Sequence, residues 1–114
     1  MEPVSATTIL KALDGLSMRA TVTAQNIANA NTPNYRPLQV TFEQALERAV
    51  PQGADAIRAV VPQIAQAVDE MGGSELRLDL ELATASSTAG RYGSLIEVLN
   101  RQLQIQALAL SGTR

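Results

Sequence analysis

From Leu78 to Leu110 the chain places an apolar or small residue at alternating steps of four and three. The positions are Leu78, Leu82, Ala85, Ala89, Tyr92, Ile96, Leu99, Leu103, Gln106 and Leu110, and only Gln106 is polar. This period marks one stripe of an α-helix that packs lengthwise on another helix. Such a helix is ~48 Å long at about 1.5 Å per residue. A compact domain of about 100 residues is only about 35 Å across. The helix is longer than the globule it would belong to, so the fold must be elongated and its overhang must meet other chains. Asp79 and Glu81 near the amino end suit the helix dipole. Between Thr84 and Ser94 the residues Ser86, Ser87, Thr88, Gly90 and Gly93 weaken the helix. Each glycine costs about 1 kcal/mol relative to alanine, so fraying or a kink is expected there until something packs against it. Tyr92 is read as a core side chain of the seam.

A second seam runs from about Thr7 to about Ala30, through Ile9, Leu13, Leu16, Ala20, Thr23, Ile27 and Ala30. Its narrowness suits a coiled coil better than a broad globular face, and Ala20 and Ala30 admit a close neighbour. Ser5 or Thr7 is the expected cap. The segment ends in the run NIANANTPNYR, Asn26 to Arg36. Pro33 disfavours helical geometry at Thr32, and Asn29 or Asn31 can take the left-handed conformation that stops a helix. Asn31 and Asn34 read as capping and turn residues, with Asn34 able to take positive φ before Tyr35. Asn26 lies within the seam, and an inter-helix amide contact suits it as well as a helix-ending role.

Between these helices the pattern is mixed. Thr41 followed by Gln44 is a capping-box spacing that opens a short helix through FEQALERAV, stopped before Pro51. Ile57 to Val61 is β-branched and reads as extended, and Gln63 to Glu70 as a short helix or a strand-like arm. Gly72-Gly73-Ser74 reads as a flexible joint. The expected architecture is all-α and elongated: residues 1–33 form an N-terminal helix and its cap, 34–77 a short irregular middle, and 78–114 the C-terminal helix. The two long helices pair as a coiled coil along Leu13, Leu16, Ala20, Ile27, Leu82, Ala89, Tyr92, Ile96, Leu99, Leu103 and Leu110.

Composition narrows the function. Hydrophobic residues make up 46%, supplied by Ala, Leu, Val and Ile, with one phenylalanine and no tryptophan. That favours helix-on-helix packing. A net charge of −2 argues against a nucleic-acid binder, which needs a basic stripe to neutralise phosphates. Histidine and cysteine are both absent, which removes the commonest general base, nucleophile and metal ligands. The adjacent carboxylates Asp69 and Glu70 point different ways on a helix, and Asp79 and Glu81 make no evident pair. No enzymatic activity, cofactor or metal is expected. No apolar run approaches the ~18 residues of a membrane span, and Met1-Glu2-Pro3 does not resemble a cleaved signal peptide.

The run from Asn26 to Arg36 resembles the signature of the bacterial flagellar rod and hook proteins, in which a terminal helix ends at an Asn-Thr-Pro-Gly-Tyr turn. Asn34 stands here in the place of that glycine. Ala12-Leu13-Asp14-Gly15-Leu16, Arg19 and Val22 are similar to the same amino terminus. Phe42-Glu43, Leu46, Arg91-Tyr92, Leu95 and Leu99-Asn100-Arg101-Gln102-Leu103 look like the proximal, B-type members more than the C-type. The residues before the last helix, Leu76-Arg77-Leu78-Asp79, depart from the usual Asn-Asn-Val-Asp, and Gly90 replaces a larger apolar residue.

The resemblance implies a structural subunit of the basal-body rod, the drive shaft that crosses the periplasm. It implies assembly with copies of itself and with other rod proteins, contact with the flagellar export gate and a rod-base adaptor, and export without a cleaved signal peptide. Another rod or hook subunit, and a cytoplasmic helical adaptor or export chaperone, are the alternatives. The adaptor reading leaves the Asn-Thr-Pro-Asn-Tyr turn unexplained.

Overall fold

The computed structural model describes residues 3–67 and 77–112. Two long helices, α1 (Pro3–Ala28) and α4 (Leu78–Gly112), flank a short middle. The middle holds β1 (Leu38–Thr41), α2 (Glu43–Ala49), a single 3-10 turn at Val50–Gln52, α3 (Ala54–Arg58) and β2 (Gln63–Gln66). The whole measures 64 × 26 × 18 Å, with a radius of gyration of 17.5 Å. The expected elongated, largely helical architecture is what forms. α4 is one unbroken helix of 35 residues that passes straight through Gly90 and Gly93.

α1 and α4 run antiparallel: Asn26 bonds to Glu81 across the pair, while Leu95 packs on the core cluster beside Ala12. At that register the start of α1 falls opposite Leu103 and Gln104, and residues 105–112 of α4 are exposed beyond it. Proline opens α1, at the position where a missing N–H costs nothing. Ser5 and Thr7 therefore lie inside the helix and not at its cap.

α1 buries more than a narrow seam. Ile9, Leu13, Leu16, Thr23 and Asn26 are buried as expected of the seam, but so is Val22 off the main stripe. The cause is that α1 packs on two partners, α4 on one side and the middle segment on the other. The core lies on this second side, where Leu16 and Val22 meet Val40, Phe42, Leu46, Ala49, Ile57 and Val60. Gly15 lets Phe42 in: a Cβ there would stand 2.4 Å from the ring.

Two expectations for the middle segment fail. Thr41 does not cap α2; it belongs to β1 and pairs with Gln63, and Phe42 holds the cap position with no side-chain bond. Burial of the Phe42 ring, 4% exposed, fixes the chain there. Ile57 is helical, because the fully buried face of α3 needs it and packing overrides β propensity. Gly53, at φ 101, turns the chain into that helix, and Lys11 donates to the Arg58 carbonyl at its far end, 3.0 Å away. Gln63–Gln66 adopts the strand alternative and pairs antiparallel with β1, Val40 opposite Ile64. The proposed joint at Gly72-Gly73-Ser74 and the end of the arm at Asp69 and Glu70 lie outside the described residues.

Candidate assembly surface and the turn that frames it

The turn is built around one amide. Asn26 is 1% exposed, and its two polar atoms make four hydrogen bonds. Nδ2 donates to the Leu38 carbonyl at 2.8 Å and to Glu81 Oε2 at 3.1 Å. Oδ1 accepts from the Leu38 N–H and from the Tyr35 hydroxyl, both at 2.9 Å. A buried amide is tolerated only when satisfied in this way. Asn26 thus ties α1 to β1, to the turn and to α4 together, and it meets both main-chain groups of Leu38 as a neighbouring strand would. Within the chain, Asn26 reaches the neighbouring helix through the Glu81 carboxylate.

The rest of the turn shapes the chain reversal. Asn29 Nδ2 donates to the Gln25 carbonyl at 2.8 Å, and its Oδ1 accepts from the Thr32 hydroxyl at 3.0 Å. α1 does not stop on a left-handed Asn29 or Asn31. It tightens through successive turns, with Ala30 bonded to Ile27 and Thr32 to Asn29. The reversal comes at Asn34, φ 62, which alone among the described non-glycine residues has positive φ. Asn31, Thr32, Pro33 and Asn34 are exposed.

A second clamp, missed by reading the sequence, sits one helical stretch earlier. Arg19 forks onto Glu43, Nη1 to Oε2 at 2.6 Å and Nη2 to Oε1 at 2.7 Å. Nη2 also donates to the Val40 carbonyl at 2.7 Å, and the guanidinium lies 5.0 Å from the centre of the Phe42 ring. Paired forks of this kind are strong and orienting. The Arg19 hydrogen bond holds the Glu43 carboxyl down at about 2. Arg91 of α4 reaches the same carboxylate at 3.8 Å. A lone arginine in an apolar helix, 24 residues from a glutamate, carries no local signal of this pairing.

The seam of α4 lies differently from its reading. The face turned toward α1 carries Glu81, Ala85, Thr88, Leu95, Leu99 and Gln102, and of these Thr88 is buried. Leu82, Ala89, Tyr92, Leu103 and Leu110 of the expected seam are exposed, and Ile96 and Leu99 are half-buried. Tyr92, expected in the core, is 39% exposed. On α1, Leu13 and Leu16 are buried, Ile27 half-buried and Ala20 exposed. The apolar heptad of α4 therefore runs largely along its outside. Between that stripe and α1 opens a groove of about 460 Å³, lined by Ala20, Ala24, Ile27, Ala85, Ala89 and Tyr92 among others. Among the described residues no group of His, Cys, Asp and Glu is arranged to hold a metal, and no helix is long and apolar enough to cross a membrane.

Residues 10–36 match the family model of the flagella basal body rod proteins. They contain Gly15, the Arg19 half of the clamp, and Asn26, Asn34 and Tyr35 of the turn. Over this segment the chain is similar to the flagella basal body rod proteins. Two relatives extend the match. The flagellar basal body rod protein FlgB of Borrelia hermsii is 58% identical over 38 residues, 33% of this chain and 28% of that protein. FlgB of Borreliella burgdorferi is 49% identical over 37 residues, 32% of this chain and 27% of its own length. The matched stretch thus spans little more than a quarter of either FlgB. The B-type likeness read from the sequence agrees with both relatives.

Proposed function

We propose that this chain is a structural subunit of the bacterial flagellar basal-body rod, of the proximal type, and that it works by assembly and not by catalysis. One observation carries the reading: the rod signature coincides with the Asn26 hub and the Asn34 reversal, and these fix where α1 ends against α4. On this reading the exposed stripe on α4, with Ala89, Tyr92 and Leu103, meets copies of the chain and other rod proteins. The half-buried Ile27, Ile96 and Leu99 adjoin it. The rod-base adaptor and the export gate are the partners at its lower end, the site is the periplasmic part of the basal body, and the chain travels there without a cleaved signal peptide.

The reading is tested by deleting the coding sequence and restoring it with a tagged chain. Motility should return, with the tag in purified basal bodies. Leu99→Asp or Ile27→Asp should leave the chain exported but unassembled, since an unpaired carboxylate in an apolar contact is strongly disfavoured. A tagged chain that restores motility yet stays out of basal bodies would overturn the reading.

A further inference from the structure

We propose that the carboxyl-terminal end of α4 from one copy seats in the groove between α1 and α4 of the next, joining copies head to tail. The inference deepens the rod-subunit reading and rests on it for the setting, while the contact itself comes from the two surfaces.

The first surface is the end of α4. From Leu103 to Gly112 it has no charged residue, and its large side chains point in several directions, with Leu103 48%, Ile105 60% and Leu108 71% exposed. A helix apolar on more than one side is stable in water only when something covers it. The second surface is the groove of about 460 Å³, whose lining side chains are likewise uncharged and are small at Ala20, Ala24, Ala85 and Ala89. Large convex side chains on one surface match small concave ones on the other, which is how knobs fill holes between packed helices.

Length agrees as well. The groove wall from Leu16 to Ile27 is ~18 Å long and the ten-residue end ~15 Å at about 1.5 Å per residue, so the end fits within the groove. The opposite groove, of about 660 Å³, is walled by Glu43, Glu47 and Arg91 and suits an uncharged end poorly.

The end cannot fill its own groove. Ala89 and Leu108 lie on one continuous helix, ~28 Å apart along its axis at about 1.5 Å per residue. The occupant is therefore a second copy. The contact joins two different patches, so repetition builds an open helical array or a ring and not a closed twofold dimer.

The chain contains no cysteine, which allows a direct test. Strains carrying Ala89→Cys, Leu108→Cys, or both are grown, basal bodies are isolated and oxidised, and the chain is probed on a non-reducing gel. Both positions are exposed, so neither change threatens the fold. A disulfide needs Cα atoms within about 7 Å, so the two cysteines cannot join within one chain. The double variant should give a ladder of multimers, and each single variant only monomer. A double variant present in basal bodies without a ladder overturns the contact. So does a dimer formed by Leu108→Cys alone as readily as the ladder, since that means end-to-end pairing of like surfaces. If even the unmodified chain is missing from basal bodies, the rod reading fails by itself. The contact is then judged on purified chain, where an equimolar mixture of the two single variants should give a cross-linked pair that neither gives alone. Absence of that pair at concentrations where the unmodified chain self-associates, or up to the solubility limit where it does not, overturns the contact there too.

Discussion

Replacing Asn26 with leucine tests whether the turn is held by its amide or merely by its shape. The substitution keeps the branched shape and the number of heavy atoms and removes every polar atom at a site only 1% exposed. Four partners lose their bond: the Leu38 N–H, the Leu38 carbonyl, the Tyr35 hydroxyl and the Glu81 carboxylate. Tyr35 and Glu81 are half-buried and recover water in part. The two main-chain groups of Leu38 carry most of the cost. Unsatisfied groups of this kind cost about 1–3 kcal/mol each, so the net loss, after the gain from burying leucine, is about 2–4 kcal/mol. That is a large share of the roughly 5–15 kcal/mol typical of a domain.

Asn26→Asp separates charge from shape. Its carboxylate can still accept from Leu38 and Tyr35, but it faces the Leu38 carbonyl and Glu81 where the amide donated. Those neighbours favour the protonated acid in the folded state, so the penalty grows as pH rises from about 4, the ordinary aspartate range, and recedes below it. Urea unfolding followed by far-ultraviolet circular dichroism, from pH 3 to 7, reads both variants against the unaltered chain. A loss under about 0.5 kcal/mol for Asn26→Leu would refute the reasoning, since desolvation alone predicts several times that. An Asn26→Asp penalty independent of pH would refute the electrostatic part.

Gly15→Ala should destabilise by about 1–3 kcal/mol through overpacking against Phe42, and Phe42→Leu in the same chain should relieve part of the loss in a double-mutant cycle. Glu43 has a depressed folded pKa, about 2 against 4.5, so its stabilisation is full above about pH 4.5 and is lost as pH falls through about 2. Its side chain is 49% exposed, and the effect is accordingly about 1–2 kcal/mol in denaturant titrations of Glu43→Gln against the parent. Asn34→Gly should unfold at an unchanged urea midpoint, and Asn34→Val should lose about 1–2 kcal/mol, because a β-branched residue resists φ 62.

How much of this was legible follows from how far each signal travels along the chain. The α4 helix was readable because its period repeats over more than thirty residues, and two unpacked glycines could not outweigh it. Asn34 was readable because Pro33 and the asparagine act within one turn. Which face of α4 meets α1 was not readable. The stripe through Leu82, Ala89 and Leu103 is the more apolar, yet Glu81, Thr88 and Gln102 turn inward, where Asn26 holds Glu81. The middle segment was misread where distant packing decides: Ile57 is helical because α1 lies over it, and Thr41 is a strand residue because Phe42 fits beside Gly15. Arg19–Glu43 was invisible for the same reason.

Strand ribbons in crowded assemblies carry a hazard of their own, since an open edge invites addition of a strand from the next chain. On the β1 side that edge is closed by side chains. Asn26 occupies both main-chain groups of Leu38, and Arg19 occupies the Val40 carbonyl. On the β2 side the described residues present a strand of four, Gln63–Gln66, too few to template much. Promiscuous backbone pairing is thereby confined, and on the proposed assembly reading recognition between copies is left to helix surfaces, where side-chain identity decides who binds whom.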